Sequence, residues 1–216
     1  MIRVLLADDH GLVREGLRGI LAKGEDIEIA AEAANGDEVL ALVRKQEFDL
    51  ALLDLSMPGL SGIALIKRLK VEKPKLRILV LSMHGEAQYA ARALKAGASG
   101  YLTKDSAAAQ LLGAIRKIAA GGVQISEAAA AELIGASATG DSPPHQALSD
   151  REYEVLRQIV AGRTITDIAE ALSISVKTVS THKANLMQKM NMRNTGELIR
   201  YAINQRLIEN PDDPGP

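Results

Sequence analysis

Leu50-Ala51-Leu52-Leu53-Asp54-Leu55-Ser56-Met57-Pro58-Gly59 decides the fold. An uninterrupted apolar run of strand length ends on a carboxylate, and a Pro-Gly turn follows at once. A run this short and this apolar predicts a strand buried on both faces, which is the environment of a parallel sheet. Working outward, similar runs occur at Ile2–Ala7, Ile27–Ala31, Leu76–Leu81 and Ser99–Leu102. Amphipathic segments separate them: Leu12, Val13, Leu17, Ile20 and Leu21 recur at helical spacing, as do Leu111, Leu112, Ile115 and Ile118 after the last run. Turn residues punctuate the alternation at Asn35-Gly36, Pro58-Gly59, Lys73-Pro74 and Gly121-Gly122. Five strand–helix units predict an α/β fold with a doubly wound five-stranded parallel sheet.

Beyond residue 120 the pattern changes. An alanine-rich stretch, Ser126–Gly135, predicts one short helix with Ser126 as N-cap, and 136–145 is small, polar and proline-bearing. Residues 121–146 therefore read as a linker, partly helical. Residues 147–208 read as an all-α unit of four helices, starting at a capping box, Ser149-Asp150-Arg151-Glu152. Gly162 ends its first helix, and the others span about Ile165–Leu172, Val176–Met190 and Thr195–Leu207. The tail, 209–216, reads as disordered.

Composition narrows the function classes. The 216 residues are 47% hydrophobic and 25% charged, as in an ordinary globular protein. No apolar run approaches the roughly 18 residues of a membrane helix, and acid arrives too early for a secretory leader; the expected compartment is the cytoplasm. With no cysteine there is neither a disulfide framework nor a thiolate site. The net charge of -1 conceals an asymmetry. Between Val176 and Arg206 stand Lys177, Lys183, Lys189, Arg193, Arg200 and Arg206, against Glu197 alone. Such a stretch is either a solvated helix face or a footprint for a polyanion.

In a doubly wound sheet, ligands bind beyond the carboxyl ends of the strands. Asp8 and Asp9 follow the first strand, Asp54 ends the third, Ser82 the fourth and Lys104 the fifth. Asp-Asp after a strand is also the composition of a helix cap; five positions converging by one rule are not. Three carboxylates in one pocket repel each other unless a cation joins them. All-oxygen ligation suits Mg²⁺, which would let a phosphoryl group approach an anionic nucleophile. Lys104 and the Ser82 hydroxyl are placed to hold phosphoryl oxygens, and Asp54 to attack phosphorus in line.

Ala7-Asp8-Asp9-His10, Leu53–Gly59, Leu81-Ser82-Met83 and Tyr101-Leu102-Thr103-Lys104 together resemble a response-regulator receiver domain over residues 1–120. The resemblance implies a flavodoxin-like sheet of order 2-1-3-4-5 and phosphorylation of Asp54 by a histidine kinase. It implies Asp9, Asp54 and the backbone carbonyl of Ser56 as Mg²⁺ ligands, with Asp8 acting through water. It also implies Ser82 and Tyr101 as a switch pair. Two departures stand out: serine at 82, where many receivers have threonine, and Asp105 where many have proline, which makes a cis peptide there less secure.

In the C-terminal unit, Val179, Leu186 and Met190 share one face of the third helix and would pack on Ile168 and Leu172, with Ala169 small enough for close approach. The opposite face carries Lys177, Ser180, Thr181, Ala184 and Gln188. Small hydroxyl residues and alanine allow a helix into the major groove. Lys183, at the packing boundary, would reach phosphate, as would Thr178 and Ser175 near the helix N-terminus. His182 has no partner at metal-ligand spacing and reads as structural. Leu148–Leu156, Asp167–Ala169, Ile174–Val179 and His182–Leu186 resemble the LuxR-type helix-turn-helix, and the whole chain is similar to NarL/FixJ-type response regulators.

That resemblance implies a two-component transcription regulator acting on promoter DNA as a homodimer. Its base contacts lie around Lys177, Ser180, Thr181 and Ala184, and RNA polymerase is a further partner. No enzyme activity is expected beyond self-phosphoryl transfer and acyl-phosphate hydrolysis. A flavodoxin-like flavin protein is disfavoured because Asp8-Asp9 would repel its phosphate. A haloacid-dehalogenase-like phosphatase would need a second carboxylate where Ser56 stands. A phosphorelay protein whose second domain binds protein is disfavoured by the groove-facing small residues. Leu198, Ile199, Ala202 and Ile203, along one side of the fourth helix, form a candidate dimer surface.

Overall fold

The computed structural model describes residues 1–58, 60, 62–82, 87–135, 143–205 and 207. Strands form where the apolar runs fall: β1 (Ile2–Ala7), β2 (Ile27–Ala33), β3 (Leu50–Asp54), β4 (Arg77–Ser82) and β5 (Gly100–Thr103). All pairings are parallel, in the order β2-β1-β3-β4-β5. The central β3 is buried along its whole length, whereas the edge strand β2 is mostly half-buried.

Helices α1 (Gly11–Leu21), α2 (Gly36–Lys45), α3 (Gly62–Glu72), α4 (Ala87–Lys95) and α5 (Lys104–Ala119) connect the strands. Side chains alternate across a strand. Val4, Leu6, Leu50, Leu52, Leu79 and Leu81 therefore join Leu17 and Leu21 of α1 and Leu111, Ile115 and Ile118 of α5 in one core. The alternate set, including Leu5, Ala51, Leu53, Ile78 and Val80, is buried on the other face. At about 1.5–3 kcal/mol for each fully buried leucine or isoleucine, these two layers dominate the favourable side of folding.

Asn35-Gly36 opens a helix instead of making a free turn. Asn35 is the N-cap of α2, its side chain accepting from the Glu38 amide. Glycine is required next to it, because a Cβ at Gly36 would lie 1.7 Å from the Leu60 carbonyl oxygen. The segment that follows Asp54 thus rests on the start of α2.

Lys104 does not end the fifth strand. β5 stops at Thr103, and Lys104 is the first residue of α5. A proline at 105 would have pushed residue 104 out of the helical region; Asp105 leaves it free and complements the helix dipole. No cis peptide occurs among the described residues.

The chain forms two compact units, Met1–Leu133 and Ile134–Pro216. Beyond α5 the backbone returns to the sheet edge. The Tyr101 amide donates to the Gln124 carbonyl at 2.8 Å, and the Gln124 amide to the Ser99 carbonyl at 3.2 Å. Helix α6 (Glu127–Gly135) follows, with the Ala129 amide donating to Ser126 Oγ at 3.2 Å. The expectations for residues 136–142 and for the tail 209–216 lie outside the described residues, as do Gly59, Met83 and Arg206.

The second unit begins with a 3-10 turn, Pro144–Ala147, and continues with α7 (Asp150–Val160), α8 (Ile165–Ala171), α9 (Val176–Lys189) and α10 (Thr195–Asn204). Reciprocal capping boxes open α7, through Ser149 and Glu152, and α8, through Thr164 and Asp167. Gly162 follows α7 at φ +79°. Tyr153, Leu156, Ile168, Leu172, Val179, Leu186, Leu198 and Ala202 are buried as the core of this unit.

Candidate functional site

The carboxyl ends of the strands gather the predicted acidic residues. The side chains of Asp8 and Asp54 are almost completely buried, and Lys104 lies between them, Nζ 2.6 Å from Asp8 Oδ2 and 2.9 Å from Asp54 Oδ2. The second oxygens are also held: Asp8 Oδ1 accepts from the His10 amide at 2.8 Å, and Asp54 Oδ1 from the Ser56 amide at 3.2 Å. Burial pushes the Asp54 carboxyl above the ordinary aspartate range, and Lys104 beside it offsets only part of that rise. Burial alone would lower Lys104; the hydrogen bond to Asp8 and the charge of Asp54 hold it above its ordinary value instead.

Asp9 differs from its neighbours. Its Oδ1 is buried and accepts no hydrogen bond, with His10 Nδ1 2.9 Å away. A buried carboxylate oxygen without a donor is costly. One oxygen or nitrogen from each of Asp8, Asp9, His10 and Asp54 falls within a span of 4.8 Å. Opposite ligands of a magnesium ion are about 4.2 Å apart, given bonds of about 2.1 Å. Three carboxylates face one ammonium here, so a divalent cation would neutralise the cluster. The residues present fit Mg²⁺.

Ser82, at the end of β4, and Tyr101, on β5, are both buried. Ser56 is exposed immediately beyond Asp54. Sequence reasoning did not assign His10 a role. Its signal was its position directly after Asp8-Asp9, but an imidazole favours transition metals over magnesium, and this side chain is 64% exposed. Arg14 was missed as well: its Nη1 donates to the Asp8 carbonyl at 2.6 Å and so braces the first acidic residue from α1.

In the second unit α9 presents two distinct faces. Val179, Leu186 and Met190 are buried together with Ile168, Ala169 and Leu172. Lys177, Thr178, Ser180, Thr181, Ala184 and Gln188 are exposed, and Lys183 is half-buried at the boundary. The turn before α9 is fixed by Ser173 at φ +51° and by the Ile174 amide donating to the Ala169 carbonyl at 3.0 Å. Ser175 caps the helix, accepting from the Thr178 amide at 3.0 Å. Val176 and Asn185, also exposed, are two residues of this surface that the sequence reading did not assign.

Lys189 leaves the basic surface. Its Nζ lies 2.7 Å from Glu152 Oε2, and that same carboxylate oxygen accepts from the Ser149 amide at 2.8 Å. Burial raises Glu152, but the Lys189 hydrogen bond and the cap hold its carboxyl below the ordinary glutamate range. The end of α9 is thereby tied to the start of α7.

The expected dimer stripe on α10 needs correction. Leu198 and Ala202 are fully buried in the unit's own core. A helix of ten residues cannot both anchor a small domain and offer its whole apolar side to a partner. Ile199, half-buried, and Ile203, 43% exposed, remain accessible.

Residues 4–116 match the response regulator receiver domain, and residues 146–202 match the bacterial regulatory proteins of the luxR family. The chain belongs to the response regulators. More closely, it is a DNA-binding response regulator of the NarL/FixJ type that controls transcription. This regulator is 37% identical to the oxygen regulatory protein NreC of Staphylococcus epidermidis, a match covering 96% of this chain and all of the relative. It is 30% identical to RcsB of Salmonella enterica serovar Typhimurium, solved bound to promoter rprA in the presence of phosphomimetic BeF3-; the match has a TM-score of 0.67 and covers 93% of this chain and 97% of RcsB. A structure of two RcsB dimers bound to two parallel DNAs matches with a TM-score of 0.59 at 30% identity, over 94% and 98% of the two chains. Among the regulator's described residues no helix is long and apolar enough to cross a membrane.

Proposed function

We propose that Asp54 accepts a phosphoryl group from the phosphohistidine of a cognate histidine kinase, and that this controls promoter binding by α9. The carrying observation is the buried cluster of Asp8, Asp54 and Lys104 at the strand ends, in one chain with a helix-turn-helix. The receiver on this reading is 1–120 and the DNA-binding domain 147–208. An Asp54 carboxylate oxygen attacks phosphorus as the bond from phosphorus to the histidine nitrogen breaks, leaving an acyl phosphate on Asp54 and a free histidine on the kinase. Lys104 trades its contact with Asp54 for a phosphoryl oxygen, and Ser82 donates its hydroxyl to another. Ser82 and Tyr101 then change place together, biasing the receiver between two states.

Asp9, Asp54 and the Ser56 carbonyl would hold Mg²⁺ directly, and Asp8 through water. When bound, the ion supplies positive charge that offsets repulsion between the carboxylates and the incoming phosphoryl group. Support comes from the buried Asp9 oxygen that accepts no hydrogen bond and from the clustering of the acidic ligands.

At the DNA, Lys177, Ser180, Thr181 and Ala184 meet base edges, while Lys183 and Thr178 meet phosphates. The regulator acts in the cytoplasm, on paired half-sites as a homodimer, and RNA polymerase is its downstream partner. The RcsB dimers on DNA support pairing, and the exposed Ile203 offers part of the contact. The reading is tested by incubation with a small-molecule phosphodonor and Mg²⁺, followed by intact-mass measurement. One phosphoryl group is expected on the wild-type chain and none on Asp54→Ala; full labelling of the variant would overturn the assignment.

A further inference from the structure

We infer that Ser180 and Thr181 act on DNA as hydrogen-bond acceptors only, and so select bases that carry an exocyclic amino group on the contacted strand. The inference rests on α9 being the DNA-reading helix and adds the base class that its hydroxyls recognise.

Both hydroxyls look identical in sequence to any small polar side chain on a groove-facing helix. The structure distinguishes donor from acceptor. Ser180 Oγ donates to the Val176 carbonyl at 2.9 Å, and Thr181 Oγ1 donates to the Lys177 carbonyl at 3.0 Å. A hydroxyl has one proton and two lone pairs. With the proton turned back along the helix, only lone pairs remain, and both side chains are exposed. The bond to a carbonyl four residues back is a habitual resting place of serine and threonine within a helix.

Other residues of that face do different work. Lys177 offers donors only. Ala184 offers a methyl surface, and so does the Cγ2 of Thr181. Thr178 is occupied at the helix start, its Oγ1 2.8 Å from Ser175 Oγ. On the first turns of that face Ser180 and Thr181 therefore supply acceptors and Lys177 supplies donors, while Asn185 and Gln188 farther along offer both through their amides.

In the major groove each base pair places one amino group, on adenine N6 or cytosine N4, and one keto oxygen, on thymine O4 or guanine O6. Which strand carries the amino group is thus a two-way distinction at every position. An acceptor-only side chain favours adenine or cytosine on the strand it touches. Opposite guanine or thymine it meets another acceptor, and desolvated lone pairs face each other. Lys177 has the reverse preference, for the guanine O6 and N7 acceptors.

The test is selection of bound duplexes from a randomised library by the phosphodonor-treated full-length chain, with sequencing of the recovered DNA. Ser180→Ala and Thr181→Val delete each hydroxyl while leaving a helix-compatible side chain of similar shape. The wild-type chain should show two positions in each half-site where adenine and cytosine outnumber guanine and thymine, by about fivefold for a single hydrogen bond. Each variant should lose that preference at one position and keep it at the other. A guanine or thymine preference at those positions, or variants that retain the wild-type preference, would overturn the inference alone. Failure of the wild-type chain to enrich any sequence would overturn it together with the DNA-reading role of α9.

Discussion

The Lys104 ammonium stands 2.9 Å from Oδ2 of Asp54, a residue fifty positions earlier in the chain. Lys104 also bonds Asp8 at 2.6 Å, so one ammonium serves two buried carboxylates, of which burial alone disfavours the Asp54 ion. Replacing Lys104 with methionine leaves both buried carboxylates without their cation. Breaking a buried pair from one side costs about 3–5 kcal/mol. The receiver should lose stability on that scale in chemical denaturation, and labelling by a phosphodonor should slow at least tenfold.

Asp54→Asn should act in the opposite direction. Burial holds the Asp54 carboxyl above its ordinary value in the folded chain. Its contribution to stability is therefore fully present below the unfolded carboxyl's pKa and is lost as pH rises through the folded value. At neutral pH the ionised group opposes folding, and an amide relieves that opposition. Without divalent ions the variant should melt several degrees above the wild-type chain. Added Mg²⁺ should reverse the order, since a ligand at a hundred times its Kd stabilises by about 2.7 kcal/mol. Calorimetry in chelator and then in Mg²⁺ measures both effects.

Acid stability carries a separate signature. Glu72 of α3 accepts from Arg44 of α2 at 2.6 Å and from Arg68 at 2.6 Å. Arg44 first, then Arg68, lower its carboxyl from the ordinary 4.5 to about 2 against the opposing effect of burial. A depressed folded value contributes stability above the unfolded value, and that stability disappears as pH falls from 4.5 toward 2. Glu72→Gln should therefore lower the melting temperature at pH 7 and flatten the acid limb, so that variant and wild type converge as pH falls from 4.5 toward 2.

Two glycines should respond to alanine for different reasons. At Gly162 there is open space around a Cβ but φ is +79°, so Gly162→Ala should cost about 1 kcal/mol through backbone strain alone. At Gly36 the added atom meets the Leu60 carbonyl. Gly36→Ala should therefore displace the segment after Asp54, costing a few kcal/mol and slowing phosphoryl uptake. Denaturation curves and labelling rates of the two variants separate strain from displacement, since only the second should alter labelling.

Along α9 the division between base and phosphate contacts predicts unequal effects. Lys177→Ala should relax preference among binding sequences, whereas Lys183→Ala should weaken binding to all of them. The second change should also reduce the salt dependence by about one counterion. Binding isotherms at several salt concentrations, on specific and nonspecific duplexes, provide the comparison. Identical behaviour of the two variants would contradict the division.

Much of this architecture was legible because it follows from periodicity. The apolar runs at Val4–Ala7 and Leu50–Leu53 could be accommodated only in a doubly covered sheet, and their final residues then had to share one edge. Boundary residues were less legible. Lys104 joins a helix because Asp105, unlike proline, permits it. The return of Gln124 to β5 depends on main-chain hydrogen bonds, which carry no side-chain signature. Glu152 announced a capping box, but its ion pair with Lys189 joins residues 37 apart and has no periodicity to reveal it. On α10 the apolar stripe was read correctly as a stripe. Its division between core at Leu198 and Ala202 and surface at Ile203 depends on how α7 and α10 meet.

The central claim joins chemistry at Asp54 to the behaviour of α9. It is tested most directly by titrating a promoter duplex with the full-length chain, with and without beryllofluoride and Mg²⁺, beside Asp54→Ala under the same conditions. The account predicts that beryllofluoride shifts wild-type binding by at least tenfold and leaves the variant unchanged. Equal shifts in both proteins, or none in the wild type, would contradict it.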